Sequence, residues 1–274
     1  MKHLFATDLD GTLFNALHAT DIFILSKLKR VLSRGDYITL ATGRNMRKSH
    51  IIHDFKDVKV YTVAMNGAII LDPEYKIIYE EVIPTDVIKD MVKHFPDVRF
   101  EFIGRENVFV TFDKSELDNE LQQMNFLIRL MYKRFKKLFT SEYLYNQKVE
   151  DIYKEDILKV NCNIKDSETK KYFDEYLRLK RNEITNAPYA GDTYEITKAN
   201  VNKGVAIKHL AKLLNVSEKN TYVYGDGLND VEMLKMFDNA YTPSNACIEA
   251  KKAAKYHLAN NKTYSVIRHI MSVK

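Results

Sequence analysis

The chain has 274 residues, which is enough for two compact domains or one large one, and 45% of them are hydrophobic, so a substantial core can be buried. The net charge of +5 is spread along the chain, and no apolar run approaches the roughly 18 residues that a membrane span needs. The apolar stretch before Asp8 is also too short for a signal peptide, so we expect a cytoplasmic protein without a membrane partner. We further expect a monomer or weak dimer.

Short apolar strands alternate with helices at both ends of the sequence. Strands are predicted at residues 3–8, 37–41, 58–65 and 221–224, and helices at residues 24–33, 46–55, 204–214 and from 230 onwards. This alternation predicts an α/β fold, a Rossmann-like, doubly wound parallel sheet with helices on both faces. In such sheets ligands bind beyond the carboxyl ends of the strands, so polar clusters that follow strands should converge there.

The middle of the chain has a different pattern. Residues 101–103 and 108–110 flank a turn at Gly104, which predicts a hairpin, and residues 158–164 alternate with the period of a half-solvated antiparallel strand. We therefore predict an inserted α+β cap domain at residues 82–189, between core segments at residues 1–81 and 190–274. A short strand at residues 193–196 is expected to lead back to the core.

The densest basic stretch lies at residues 129–137, inside the predicted cap. It also carries apolar residues at helical spacing, which is typical of an amphipathic helix with a solvated basic face. Nucleic-acid binding is the alternative reading of this stretch, but we expect no nucleic-acid partner.

Two acidic clusters follow predicted strands. In the first, Asp8-Leu9-Asp10-Gly11-Thr12, the two aspartates are two residues apart and can face one site if the chain is extended. The second is the segment from Gly225 to Asp230, in which Asp226 stands between two glycines. Neither cluster fits an EF-hand calcium loop, because Leu13 and Val231 occupy the positions that require glycine. Turns or helix caps would explain single residues of these clusters but not Asp226.

Oxygen ligands from the two clusters suit Mg²⁺, which binds one or two carboxylates, waters and a substrate phosphate. Zinc is disfavoured because the sequence has no HExxH motif, and because Cys162 and Cys247 are far apart and are expected to be free buried thiols. There is also no P-loop motif. Phosphate could instead be held by the hydroxyl of Thr42, the N–H of Gly43 and the charge of Lys203.

Four segments resemble, in this order, the four motifs of the haloacid dehalogenase superfamily. They are the Asp8–Thr12 cluster, Thr42-Gly43-Arg44, Lys203-Gly204 and the Gly225–Asp230 cluster. Asn66-Gly67-Ala68 and the large insert that follows resemble the Cof-type sugar-phosphatase branch, which has an inserted α/β cap. The resemblance covers both predicted core segments.

The resemblance implies a role for each matching residue. Asp8 would be the nucleophile, and Asp10 would protonate the leaving alcohol and then deprotonate the hydrolytic water. Mg²⁺ would be held by Asp8, Asp226 and the backbone carbonyl of Asp10, with Asp230 acting through a water or by supporting these ligands. Binding of the phosphate and substrate would fall to Thr42, Gly43, Arg44, Asn66, Lys203 and Asn229. Arg44 could alternatively brace the cap.

The leading hypothesis is therefore an Mg²⁺-dependent phosphatase that hydrolyses small phosphorylated metabolites, sugar phosphates in particular, through an aspartyl phosphate. A phosphomannomutase-like phosphomutase is an alternative, since such enzymes resemble the same core and cap. A non-enzymatic protein that binds a phospho-ligand or nucleic acid on the same fold is a third. Specificity is expected from cap loops near Arg105 or near residues 189–192.

Overall fold

The fold is built on two separate β-sheets. The computed structural model describes residues 2–14, 20–45, 55, 57–116, 143–187 and 191–274. The strands, in chain order, are β1 (Leu4–Thr7), β2 (Tyr37–Ala41), β3 (Tyr61–Ala64), β4 (Ile69–Leu71), β5 (Ile77–Glu80), β6 (Phe100–Ile103), β7 (Val108–Phe109), β8 (Tyr143–Leu144), β9 (Lys159–Asn163), β10 (Ile184–Ala187), β11 (Thr193–Lys198), β12 (Thr221–Tyr224), β13 (Asn239–Pro243) and β14 (Tyr256–Leu258). The α-helices are Ile22–Ser33, Thr85–His94, Val149–Ile152, Ser167–Leu179, Lys203–Leu213, Val231–Met236, Ile248–Ala253 and Ser265–Ser272.

The larger sheet has the order β14-β13-β12-β1-β2-β3-β4-β5. Neighbouring strands from β14 to β3 are parallel, whereas β4 and β5 extend the sheet in antiparallel fashion. Side chains of β1 alternate between two apolar cores: Phe5 packs into the core of helices Ile22–Ser33 and Ser265–Ser272, and Leu4 into that of helix Lys203–Leu213. The predicted α/β fold, a doubly wound parallel sheet core, is confirmed.

The second sheet has the order β10-β11-β9-β6-β7-β8. Strands β6 and β7 form the predicted hairpin. One face of this sheet packs against helices Thr85–His94 and Ser167–Leu179. Strand β11 was predicted to lie in the core segment that begins at residue 190, but it pairs with β9 and β10, because Tyr194 and Ile196 pack into the apolar core of the second sheet. The limits of the domains at residues 82 and 189 otherwise stay predictions.

Ion pairs brace the two places where the chain passes between the sheets. Arg105 binds Glu80 through Nε at 2.8 Å and Nη2 at 2.6 Å, and its Nη1 lies 2.8 Å from Asp156. Lys198 pairs with Glu81 at 2.6 Å. Arg105 therefore supports the crossing, and the role of its loop in specificity stays a prediction.

Both cysteines are free thiols, as predicted, although Cys247 is only partly buried. No described helix combines the length and the apolar character that crossing a bilayer demands. The basic stretch at residues 129–137 and residues 188–190 lie outside the described residues, as does nearly all of the helix predicted at residues 46–55.

The turn after β3 packs tightly against the start of helix Lys203–Leu213. Gly67 has φ +105°, and a Cβ built on it would lie 2.7 Å from the backbone carbonyl carbon of Asn202. Gly191 also has a positive φ, +81°, but nothing lies within 4 Å of the added atom.

We expect Gly191→Ala to lower the free energy of unfolding by about 1–2 kcal/mol, the cost of the left-handed conformation. Gly67→Ala should cost more, because backbone atoms must also move apart. Urea unfolding of both variants makes the comparison. Equal losses would show that the approach of Gly67 to Asn202 is not tight.

Candidate active site

Four loops meet beyond the carboxyl ends of β1, β2, β3 and β12. Asp8, Thr42, Asn66 and Asp226 lie on these loops in that order. The N–H of Asp8 donates to the carbonyl oxygen of Tyr224 at 2.9 Å, and the N–H of Asn66 donates to that of Thr42 at 3.0 Å. The polar clusters thus converge at one edge of the sheet, where the parallel topology predicts a ligand site.

A buried lysine lies between two of the carboxylates. The Nζ atom of Lys203 donates to Oδ1 of Asp8 and to Oδ1 of Asp230, each at 2.7 Å. Lys203 has no exposed surface, and Asp8 is only 8% exposed. The helix that carries the lysine begins there because Asn202 caps it, its side chain accepting a hydrogen bond from the N–H of Val205 at 2.9 Å.

Asp230 also orders the loop that carries Asp226. Its Oδ2 atom accepts hydrogen bonds from the N–H groups of Asp226 at 3.0 Å and Gly227 at 2.9 Å. Gly225 must be glycine, since a Cβ there would lie 2.5 Å from Cγ of Asp230. Asp230 therefore holds the backbone of this loop, and its indirect role towards a metal stays a prediction.

The carboxylate of Asp226, in the second acidic cluster, contacts residues of the first cluster. Thr12 donates from Oγ1 to Oδ1 of Asp226 at 2.5 Å. Gly11 has φ +79°, and a Cβ on it would lie 2.8 Å from Cγ of Asp226, so the close approach requires glycine. Carboxylate oxygens of Asp8, Asp226 and Asp230 lie within 4.8 Å of one another. An all-oxygen, acidic donor set of this kind fits Mg²⁺.

Burial and neighbouring charges shift the pKa values in this cluster. Burial raises the pKa of Asp8 well above its ordinary value, Lys203 opposes the rise, and Asp230 and Asp226 add to it. Burial is also the main reason why the pKa of Asp226 is raised to about 6. The pKa of Lys203 is lowered by burial but raised more by Asp230 and Asp8, so that it ends above its ordinary value. A divalent cation at Asp8 and Asp226 would favour their ionised forms, which supports the fit of a metal.

Asp10 and Arg44 form an ion pair on the open side of the site. The Nη2 atom of Arg44 lies 2.7 Å from Oδ2 and 2.8 Å from Oδ1 of Asp10. Among the described residues, the Asp10 carboxylate is not part of the group that contains Asp8 and Asp226. Arg44 therefore contacts a residue of the first acidic cluster, and its role, in substrate binding or in bracing the cap, stays a prediction.

The remaining expected phosphate ligands form a second cluster. Asn229 donates from Nδ2 to Oδ1 of Asn66 at 3.1 Å, and Asn66 itself is buried with φ +57°. The buried hydroxyl of Thr42 accepts from the N–H of Arg44 at 3.2 Å. A Cβ on Gly43 would lie 2.9 Å from Oδ1 of Asn66, so glycine lets the loops after β2 and β3 approach each other.

The sequence model of the haloacid dehalogenase-like hydrolases matches residues 5–270. The chain belongs to this family. It is 26% identical to phosphatase YwpJ of Bacillus subtilis over 286 residues, which cover 98% of each protein. It is 25% identical to 5-amino-6-(5-phospho-D-ribitylamino)uracil phosphatase YwtE of the same bacterium over 268 residues, 93% of this chain and 92% of that one. A solved haloacid dehalogenase-like hydrolase from B. subtilis has a TM-score of 0.82 at 23% identity and covers 100% of both chains.

The predicted superfamily and enzyme class, a haloacid dehalogenase-type phosphatase, are thus confirmed. The roles of the individual residues rest on the geometry described above and stay proposals.

Two residues of this haloacid dehalogenase-like site were not predicted. Lys159 on β9 is 3% exposed, and its Nζ donates to the carbonyl oxygen of Gly43 at 2.9 Å. Glu195 on β11 lies 3.3 Å from Lys159 and accepts a hydrogen bond from Nδ2 of Asn66. Lys159 and Glu195 are polar residues on strands in which polar and apolar residues alternate. The sequence pattern did not show that the polar face of the second sheet is directed towards the larger sheet.

The raised pKa of Asp226 predicts a pH-dependent stability without metal. A carboxyl whose pKa is higher in the folded state stabilises the fold while it is protonated, and this contribution is lost as the pH rises from about 4 through 6. In EDTA, Asp226→Asn should therefore have a higher Tm than the wild type at pH 8 and no such gain at pH 5. The asparagine can still accept the hydrogen bond of Thr12.

Thermal unfolding with EDTA and with Mg²⁺ tests this. Mg²⁺ at pH 8 should raise the Tm of the wild type but not that of Asp226→Asn. Asp97→Asn, at an exposed carboxylate in the turn after helix Thr85–His94, is the matched control. A wild type that is as stable as Asp226→Asn at pH 8 in EDTA would contradict the prediction.

Proposed function

We propose that this protein is an Mg²⁺-dependent phosphatase of small phosphorylated metabolites, sugar and polyol phosphates in particular, which forms an aspartyl phosphate on Asp8. The observation that carries the proposal is the position of Asp8, which is buried, lies 2.7 Å from the ammonium of Lys203 and has a carboxylate oxygen within 4.8 Å of one of Asp226. A phosphoryl group at this nucleophile would be close to the positive charges of Lys203 and of a bound metal.

The reaction proceeds in two displacements. An oxygen of Asp8 attacks phosphorus, and the bond to the leaving alcohol breaks while Asp10 gives its proton to the alcohol oxygen. Water then attacks the same phosphorus and gives a proton to Asp10. The bond between Asp8 and phosphorus breaks, which releases inorganic phosphate and restores both carboxyl groups.

The surrounding residues orient these groups. Two of the three N–H groups of the Lys203 ammonium donate to Asp8 and Asp230, and the third can donate to a phosphoryl oxygen. Mg²⁺, held by Asp8, Asp226 and the backbone carbonyl of Asp10, would supply neutralisation of phosphoryl charge. The hydroxyl of Thr42, at the end of β2, lies where it can offer a further hydrogen bond.

Two findings support a small substrate. Lys159 and Glu195 contact the loops after β2 and β3, so the second sheet covers the site and restricts the room around it. The relative YwtE is named for a phosphate ester on a ribityl chain, a small polyol. The cytoplasmic location and the monomeric or weakly dimeric state stay predictions.

Asp8→Asn should lower phosphate release by roughly three orders of magnitude or more, because the amide keeps an acceptor for Lys203 but is not a nucleophile. The measurement is phosphate release from a panel of phosphate esters with Mg²⁺, together with a search for a phosphorylated Asp8 peptide by mass spectrometry after rapid quenching. Asp97→Asn should retain the wild-type rate. Transfer of the phosphate to a second hydroxyl without net release would contradict hydrolysis and indicate a mutase.

Asp10→Asn should separate the two displacements. Alkyl phosphates need a proton on the leaving oxygen, so their turnover should fall by roughly 10²–10⁴. p-Nitrophenyl phosphate has a good leaving group, so the first displacement should survive and give a burst of one nitrophenolate per enzyme before a slow phase. Stopped-flow absorbance shows whether this burst occurs. Equal losses for both kinds of ester, with no burst, would argue against proton transfer by Asp10.

A further inference from the structure

The second sheet has a polar face opposite the face that its helices cover. Glu195, Asn161 and Glu101 lie opposite one another on the neighbouring strands β11, β9 and β6. Tyr143 donates from its hydroxyl to Glu101 at 2.6 Å, and Nδ2 of Asn161 lies 3.3 Å from the other oxygen of Glu101. We call Glu195, Asn161, Glu101 and Tyr143 the polar row.

One end of the polar row touches the candidate active site. Glu195 accepts a hydrogen bond from Asn66, and a Cβ built on Gly43 would lie 3.2 Å from its Oε2 atom. Neighbouring strands are about 4.8 Å apart, so the row extends roughly 10 Å from Glu195 to Glu101. A leaving group that points away from Asp8 towards the second sheet would reach this row.

The polar row contains a buried hydrogen-bond acceptor that is not satisfied by the described residues. The Oδ1 atom of Asn161 is buried and receives no hydrogen bond from any residue that the structure describes. Both glutamates, when ionised, offer only acceptors. A buried acceptor without a donor is unfavourable, and a hydroxyl group is the kind of ligand that would satisfy it.

The charges of the row point to an uncharged ligand. Lys159 pairs with Glu195 and offsets its charge. Glu101 accepts hydrogen bonds from Tyr143 and Asn161, which are neutral, and no ion pair of Glu101 is found in the described part of the chain. A carboxylate or second phosphate on the leaving group would be repelled by Glu101.

We infer that the polar row binds the leaving group of the substrate and selects an uncharged, hydroxyl-rich chain over one that carries an anion. This inference rests on the proposed phosphatase function. It names residues that decide specificity, and it excludes bisphosphates and phosphorylated sugar acids as preferred substrates.

Glucitol 6-phosphate and 6-phosphogluconate form a matched pair of probes, because a terminal CH₂OH in the first is a carboxylate in the second. With Mg²⁺, kcat/KM of the wild type should favour glucitol 6-phosphate by about tenfold or more. p-Nitrophenyl phosphate has no further hydroxyl on its leaving group, so its hydrolysis measures the catalytic step without hydrogen bonds between the leaving group and the polar row. A wild type that hydrolyses none of the three contradicts the proposed function itself.

Two variants change the charge of the row in opposite directions. Glu101→Gln keeps an acceptor for Tyr143 but removes the repulsion of an anionic leaving group. The preference for glucitol 6-phosphate over 6-phosphogluconate should therefore shrink severalfold, mainly through a lower KM for 6-phosphogluconate. Asn161→Asp adds a negative charge and should enlarge this preference. Glu168→Gln is the control, at an exposed carboxylate of helix Ser167–Leu179 on the other face of the sheet, and should leave the preference unchanged.

The ratio of the two kcat/KM values is the deciding quantity, because a general loss of activity cancels from it. Opposite changes in Glu101→Gln and Asn161→Asp support the inference. If either variant slows all three substrates by the same factor, the row is only structural and the inference is wrong. A wild type that prefers 6-phosphogluconate would overturn it as well.

Discussion

The contact of Lys203 with Asp8 and Asp230 is the interaction on which the site depends. An ammonium without exposed surface would cost several kcal/mol if it were unpaired, and here two carboxylates compensate it. Because Asp230 also binds the backbone of the loop that carries Asp226, the proposed nucleophile Asp8 and the candidate metal ligand Asp226 belong to one hydrogen-bonded network. A shift of any member would move the others.

The convergence of Asp8, Thr42 and Asp226 could be predicted because each follows an apolar strand of a parallel sheet, and such strands end at the same edge. The period-two pattern of residues 158–164 likewise predicted β9, and the turn at Gly104 predicted the hairpin of β6 and β7. The local sequence pattern does not predict which strands pair with each other, however. The membership of β11 in the second sheet was therefore missed, as were β4 and β5, which extend the core sheet.

Lys159 and Glu195 could not be predicted for the same reason. In the sequence they are polar residues of strands in which polar and apolar residues alternate, and such polar residues are usually exposed to solvent. Only the packing of the second sheet over the core buries Lys159 and brings both side chains to the loops at Gly43 and Asn66. These contacts leave the side chains of Lys159 and Glu195 only 4% and 15% exposed.

The ion pairs at the crossings bear on how the two sheets can move. The Arg105–Glu80 and Lys198–Glu81 pairs are partly exposed, and pairs of this kind contribute about 0–1 kcal/mol each. The two pairs alone therefore contribute little to fixing the second sheet, of which Ile103, together with Leu158 just before β9, also packs into the apolar core that contains Phe5.

The separation in sequence between Asp8 and Lys203 has a consequence during synthesis. Asp8 leaves the ribosome 195 residues before Lys203, which holds its side chain, and β12, the partner of β1, follows later still. A nascent chain therefore displays the carboxylate of Asp8 without the lysine and without the second acidic cluster. The site can be assembled only after the last third of the polypeptide has emerged and paired with the first strand, which ties its assembly to the completion of folding.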